Sequence, residues 1–208
     1  MARARAPRRR RVESSPEQRL VDAALDLAAR QGWRRTGLAE IAAAAGLKLH
    51  EAYALHRSKG SILRAFMRHV DTVVLEGAAA AAANESPRER LFETLMRRFD
   101  ALKPHRAALG AILRESIGHP AAVLGLVPLR RSMVWMLEAS GIATAGCRGR
   151  LITHATLGLY LAVLRVFLAD DSADLARTMA ALDRGLRRGE AFCRFAEGRS
   201  AGPRESTA

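Results

Sequence analysis

The chain has little cysteine, few aromatic residues and a shortage of acid relative to base. Cys147 and Cys193 are too few for a disulfide framework and lack metal-ligand spacing, so they read as reduced thiols in a cytoplasm. Aromatic residues make up 5% of the 208 positions, and β-branched residues are scarce beside alanine, leucine and arginine. That balance disfavours sheet and favours helix throughout. No apolar run approaches the ~18 residues that a membrane span needs, and the basic N-terminus has no apolar stretch of the kind a secretion signal carries. The six histidines (50, 56, 69, 105, 119 and 154) are scattered, and none pairs with Cys, Asp or Glu at metal spacing. There is no glycine-rich phosphate loop and no nucleophile elbow. The sequence therefore predicts neither an enzyme nor a metal or cofactor protein.

What the chain has in excess is positive charge. Its formal net charge is +13, and +8 of that falls in residues 1–71. Such an excess condenses on polyanions and steers association with them; an arginine-rich codon bias would give the same totals. Residues 1–14 form a basic arm, with arginines at 3, 5, 8, 9, 10 and 11. Mutual repulsion predicts disorder in isolation. The arm could follow a phosphate backbone or enter a minor groove, or be only a solvated tail. The hydrophobic share is 49% and the mean hydropathy is near zero, as expected for a soluble globular chain.

The stretch that organises the rest runs from Thr36 to Lys59. Leu38, Ile41, Ala42 and Ala45 fall at i, i+3, i+4 and i+7, one apolar face of a short helix. Thr36 is placed to cap its start. Gly46 can end it with a positive φ, and a second short helix fits Lys48 to Leu55. Two short helices about a tight glycine turn describe a helix-turn-helix, whose second helix can enter a major groove; an ordinary helical hairpin has the same pattern. Lys48, His50, Glu51 and Ala54 lie on the second helix. Lysine can reach guanine O6/N7, and glutamate can accept from cytosine N4.

Ala24, Gly32, Thr36, Ile41, Ala42, Ala45, Gly46, Tyr53, Ser58, Lys59 and Leu63 stand in an order that resembles the TetR family of bacterial transcriptional regulators, over roughly residues 17–70. The resemblance implies an all-α, TetR-like fold of about nine helices: a three-helix DNA-binding domain over residues 15–62 and a helical ligand-binding and dimerisation domain over 63–197. It implies a homodimer on double-stranded DNA, a repressor controlled by a small molecule, and contact with DNA by Thr36, Lys48, His50, Glu51, Tyr53, Ser58 and Lys59. Tyr53 and Lys59 would touch phosphate. The chain departs from the family pattern at Leu49, His50, Glu51, Ala52 and His56.

Around that stretch the helix signals are regular. Ser15-Pro16-Glu17-Gln18 reads as a helix start with a capping box, followed by a buried stripe of Leu20, Ala24, Leu27 and Ala28 that Gly32 ends. Trp33 is expected in the small core of the head. A long helix spans 61–83. Ser86-Pro87-x-Glu89 starts another, with Leu91, Leu95, Phe99 and Leu102 on one face. Pro104 opens a further helix, and one bent or broken near Pro128 runs to Ala139. Residues 148–168 form the most apolar helix, with a stripe of Ala155, Leu159, Ala162 and Val166. Asp171 or Ser172 caps the last helix, where Leu175, Met179, Leu182, Leu186, Gly189 and Cys193 recur at spacings of 4 and 3. That seam suits another helix, within the subunit or across a dimer. The family resemblance implies the dimer, with Ala155, Leu159, Ala162, Leu175, Met179, Leu182 and Leu186 at its interface. Residues 198–208 are predicted to be disordered.

Trp135-Met136-Leu137, the helix through Gly158 and Tyr160, and Asp170-Asp171-Ser172-x-Asp174 followed by Thr178, Met179 and Leu182 also resemble the C-terminal domain of the COQ9 family. That resemblance implies the alternative of a lipid-binding accessory protein of ubiquinone biosynthesis with a vestigial head. Either reading puts a mostly apolar ligand site in the body. The candidates are His105, His154 and Tyr160 among Phe99, Trp135, Met136, Leu164 and Phe167, unless these side chains are plain core. Few acids lie on these stripes, which argues against a cationic ligand and for an acyl chain, quinone or isoprenoid.

Overall fold

The computed structural model of the chain describes residues 14–78, 85–116 and 121–200, apart from the side chains of 121–125 and 192–200. The basic arm up to residue 13, the far end of the long helix after Ala78, the His119-Pro120 boundary, the Cys193 side chain and the tail from 201 lie outside these residues. Among them are nine α-helices and no strand: α1 Pro16–Gln31, α2 Leu38–Ala44, α3 Leu49–Leu55, α4 Lys59–Ala78, α5 Pro87–Leu102, α6 Arg106–Ser116, α7 Ala121–Ala139, α8 Gly146–Leu168 and α9 Ala176–Ser200. A 3-10 turn, Lys103–His105, links α5 to α6 around Pro104.

The starts follow the caps. Ser15 Oγ accepts from the Gln18 N–H at 3.1 Å, but the Gln18 amide turns to Asp22 rather than back to the cap. At α5 the box closes in both directions, Glu89 N–H to Ser86 Oγ and Ser86 N–H to Glu89 Oε2. At α9 the Ala176 N–H is shared by two side chains, Ser172 Oγ at 3.0 Å and Asp174 Oδ1 at 3.2 Å. Asp170 is fully buried one turn away. It accepts the hydroxyls and N–H groups of Ser172 and Thr178. Burial opposes the charge on Asp170, but these four donors outweigh burial and hold the carboxyl far below its usual range.

One expectation narrows and one changes. Of the two alternatives at Pro128, bent or broken, the break is absent, since α7 is continuous from Ala121 to Ala139. And α8 is apolar and long enough, by length and composition, to cross a membrane. It packs between α7 and α9 instead, with only 28% of its apolar window buried inside the chain.

The head is α1–α3 with the start of α4, and the body is α4–α9. Leu20, Ala24, Leu25, Ala28, Ile41, Ala42 and Ile62 close the head core. Val74, Leu95, Phe99, Met133, Met136, Leu137, Tyr160, Phe167 and Leu182 continue the same core into the body. The two join along α4 and where α1 lies on α6. There the Arg34 N–H donates to Glu115 Oε2 at 2.5 Å.

Candidate nucleic-acid interface

The turn between α2 and α3 is closed by backbone. Gly46 has φ +67°, its N–H reaches the Ala43 carbonyl, and the Leu47 N–H reaches that of Ala42. A side chain rarely adopts that φ, so glycine suits the turn. On the inner face of α3, Ala52 and His56 are buried, and His56 Nε2 faces the Glu17 carboxylate at 3.1 Å. Nε2 makes no hydrogen bond among the described residues, so it is the burial of this ring and of Ala52 that anchors the helix. The outer face exposes Lys48, Leu49, His50, Glu51, Tyr53, Ala54 and Arg57.

Not all of the expected DNA-contact residues share that face. Lys48, His50 and Tyr53 do, with Tyr53 61% exposed. Glu51 is exposed, but its carboxylate folds back to accept the Lys48 N–H at 2.7 Å. It is a helix cap rather than a group aimed at a base. Ser58 is exposed, and Ser58 and Ser61 cap one another at the start of α4. Thr36 is 2% exposed, and its hydroxyl donates to the Gly32 carbonyl at 2.8 Å. It does not cap α2. Gly37 holds that position, its N–H directed at Glu40 Oε2.

Lys59 differs most from expectation. Its ammonium donates to the carbonyls of Trp33 at 2.6 Å and Thr36 at 2.8 Å and lies 5.0 Å from the Trp33 ring centre. Burial lowers its pKa and nearby Glu115 opposes that. The side chain staples α4 to the loop before α2.

Arg57 joins the exposed residues at the end of α3. Its guanidinium lies 5.9 Å from the Tyr53 ring centre. It places a positive charge beside the exposed phenol, and the signal was the i, i+4 spacing to Tyr53. The centre of this face is apolar. Leu49 is 56% exposed and Leu38 38% exposed. With Ala39 and Tyr53, over a floor of Leu20 and Ile62, they frame a cleft of about 290 Å³.

In the body the expected ligand set separates. Phe99, Met136, Tyr160, Leu164 and Phe167 are buried, and Phe99 stacks on Tyr160 at 5.2 Å and lies 5.2 Å from Phe167. Trp135 is 57% exposed and faces outward. His154 is exposed, with Nδ1 2.8 Å from the Arg150 carbonyl oxygen. His105 packs edge-on against Phe66 at the junction with the head. Burial lowers its pKa, against Asp22 and Asp26, which raise it.

The dimer set also divides. Leu175, Leu182 and Leu186 are buried within the single chain, where α9 lies on α8 and α5. Gly185 permits that approach, since a Cβ there would stand 2.2 Å from Leu159 Cδ1. Leu159 itself is half-buried, whereas Ala155, Gly158 and Ala162 are exposed on α8, and Met179 is exposed on α9.

No family model and no curated protein matches the chain. Solved structures do. A TetR transcriptional regulator from Nitrosomonas europaea matches with a TM-score of 0.69 at 23% identity, covering 83% of this chain and 96% of that one. A TetR transcriptional regulator from Rhodococcus sp. RHA1 matches at 0.60 and 22% identity, over 82% and 95%. FadR of Thermus thermophilus, a TetR-family transcriptional repressor in complex with lauroyl-CoA, matches at 0.56 and 17% identity, over 82% and 91%. The fold is that of TetR-family structures.

Proposed function

We propose that the protein is a dimeric DNA-binding transcriptional regulator, a repressor that a small apolar molecule releases from its operator. It works in the cytoplasm and performs no catalysis. The observation that carries this reading is the exposed face of α3, fixed on the head core by Ala52 and His56 and presenting Lys48, His50, Tyr53 and Arg57 outward. In a helix-turn-helix this is the face that meets base edges. Lys48 and His50 are the base-reading candidates, and Tyr53 and Arg57 the phosphate-contacting ones. The solved structures of the same fold are regulators by name, and one of them holds lauroyl-CoA, which agrees with an apolar effector. The COQ9-like alternative gains no support from these comparisons.

For the dimer, the apolar excess of α8 supplies the argument. Leu151, Ala155, Gly158 and Ala162 line its exposed side at heptad spacing, and the last three have little side-chain bulk to keep a second helix away. Footprinting of the full chain on the DNA upstream of its own gene tests the DNA reading. A protected, roughly palindromic segment is expected, with half-sites about one helical turn apart or a multiple of it. Uniform protection, or none, would overturn it.

A further inference from the structure

Among the described residues the body core contains one fully buried cation, Arg98 on α5, at 0% exposure. Its Nε donates to the Tyr160 hydroxyl at 3.1 Å, its Nη1 pairs with the Asp71 carboxylate, and the guanidinium carbon lies 5.5 Å from the Tyr160 ring centre. Nη2 is buried as well and has no hydrogen-bond partner among the described residues. Buried polar groups are nearly always satisfied, and an unpaired donor on a buried cation is among the costliest exceptions. The group that answers it is an acceptor, best a carboxylate, whose oxygens fit the planar fork in charge-assisted bonds.

The surroundings narrow the class further. Asp71 holds Arg98 through one oxygen and accepts the Ser132 hydroxyl at 2.6 Å through the other. Its side chain is 18% exposed, so the cluster has an edge open to solvent on the α4 side. Phe99 stacks on the Tyr160 ring, and Met133, Met136 and Leu137 are fully buried in the same apolar core. Methionines repack readily around an unbranched chain. We propose that Arg98 anchors the carboxylate of a small organic acid whose apolar tail enters the body core beside Tyr160. A second carboxylate on this guanidinium repels that of Asp71, so the acid and Asp71 compete for it. Asp71 stands on α4, the helix whose first residue staples the head. Naming the acid an effector rests on the regulator reading above, whereas the binding site does not.

The test is thermal unfolding of the full chain with octanoate, 1-octanol, acetate or chloride, for the native protein, Asp71→Asn and Arg98→Met. Octanoate should raise the native Tm with the logarithm of its concentration, while octanol, acetate and chloride at the same concentration leave it in place. Asp71→Asn removes the competing charge and should lower the octanoate concentration needed by roughly tenfold. Arg98→Met should lose the preference for acid over alcohol. If Arg98→Met does not fold, the native comparison and Asp71→Asn decide. Equal shifts by octanoate and octanol, a shift by acetate or chloride as large as octanoate's, or weaker octanoate binding in Asp71→Asn would each overturn the proposal. DNA binding is measured separately without acid. Its absence would defeat the regulator reading and leave the acid site standing.

Discussion

At the scale of single residues, the side chain of Lys59 separates two accounts of the head. A lysine on phosphate would contribute about −0.9 to the slope of log K against log salt. A lysine bound to the Trp33 and Thr36 carbonyls contributes to the fold of the head. Lys59→Ala should therefore cost about 1–3 kcal/mol of stability and leave the salt slope of DNA binding unchanged, as read by urea unfolding and by fluorescence anisotropy. Arg57→Ala should do the reverse, lowering the slope by about 0.9 with no change in Tm. Lys48→Ala should alter discrimination at one base position by about 1–3 kcal/mol. Asp170 makes a prediction in pH. Its folded carboxyl lies below the usual range, so its contribution is complete above the unfolded pKa of about 3.9 and fades as pH falls through the folded value. The stability gap between native protein and Asp170→Asn should be flat from about pH 5 to 8 and shrink in acid, measured by urea unfolding at each pH.

Single side chains were also the least legible in the sequence. The chain marks Thr36, Glu51 and Lys59 as polar groups near a DNA-reading helix, and nothing in their spacing says where each hydrogen-bonds. Thr36 found the Gly32 carbonyl, Glu51 the Lys48 N–H, and Lys59 two carbonyls more than twenty residues upstream. A short polar side chain close to free backbone groups binds those first. Long-range partners such as Tyr160 for Arg98 depend on how α5 meets α8, which one-dimensional periodicity does not contain.

At the scale of elements, the periodic patterns located α1 to α6 closely, because caps and apolar stripes are local signals. Pro128 leaves α7 unbroken for a physical reason. A proline inside a helix removes one hydrogen bond and clashes one turn back, but packing on both sides can hold the helix through it, and α7 lies against α4, α5 and α8. The 4-and-3 repeat of α9 is buried within the chain only in part: Leu182 and Leu186 lie against α8 and α5, whereas Met179 and Gly189 are exposed. This separates two substitutions. Leu182→Ala should cost about 2–5 kcal/mol in the stability of the subunit, because the side chain is fully buried at home. Ala162→Glu, on the exposed stripe, should leave the subunit folded and shift the sedimentation profile from dimer to monomer. A folded, undisturbed dimer from Ala162→Glu would place the interface elsewhere.

For the whole molecule, charge, fold and exposed faces lead to one account. Positive charge concentrates in the first third of the chain, the head presents a helix with cations at its edges and apolar side chains at its centre, and the body carries an uncovered apolar stripe on α8. Contact of Leu49 with thymine methyl groups would suit such a face. The central claim is sequence-specific DNA binding. Its most direct test is the affinity of the full chain for its own upstream DNA and for a scrambled duplex, each across a series of salt concentrations. The account predicts binding to the upstream DNA at least about 10³ tighter than to the scramble at physiological salt, with log K falling linearly against log salt on both. Equal affinity for the two duplexes at every salt concentration would contradict it.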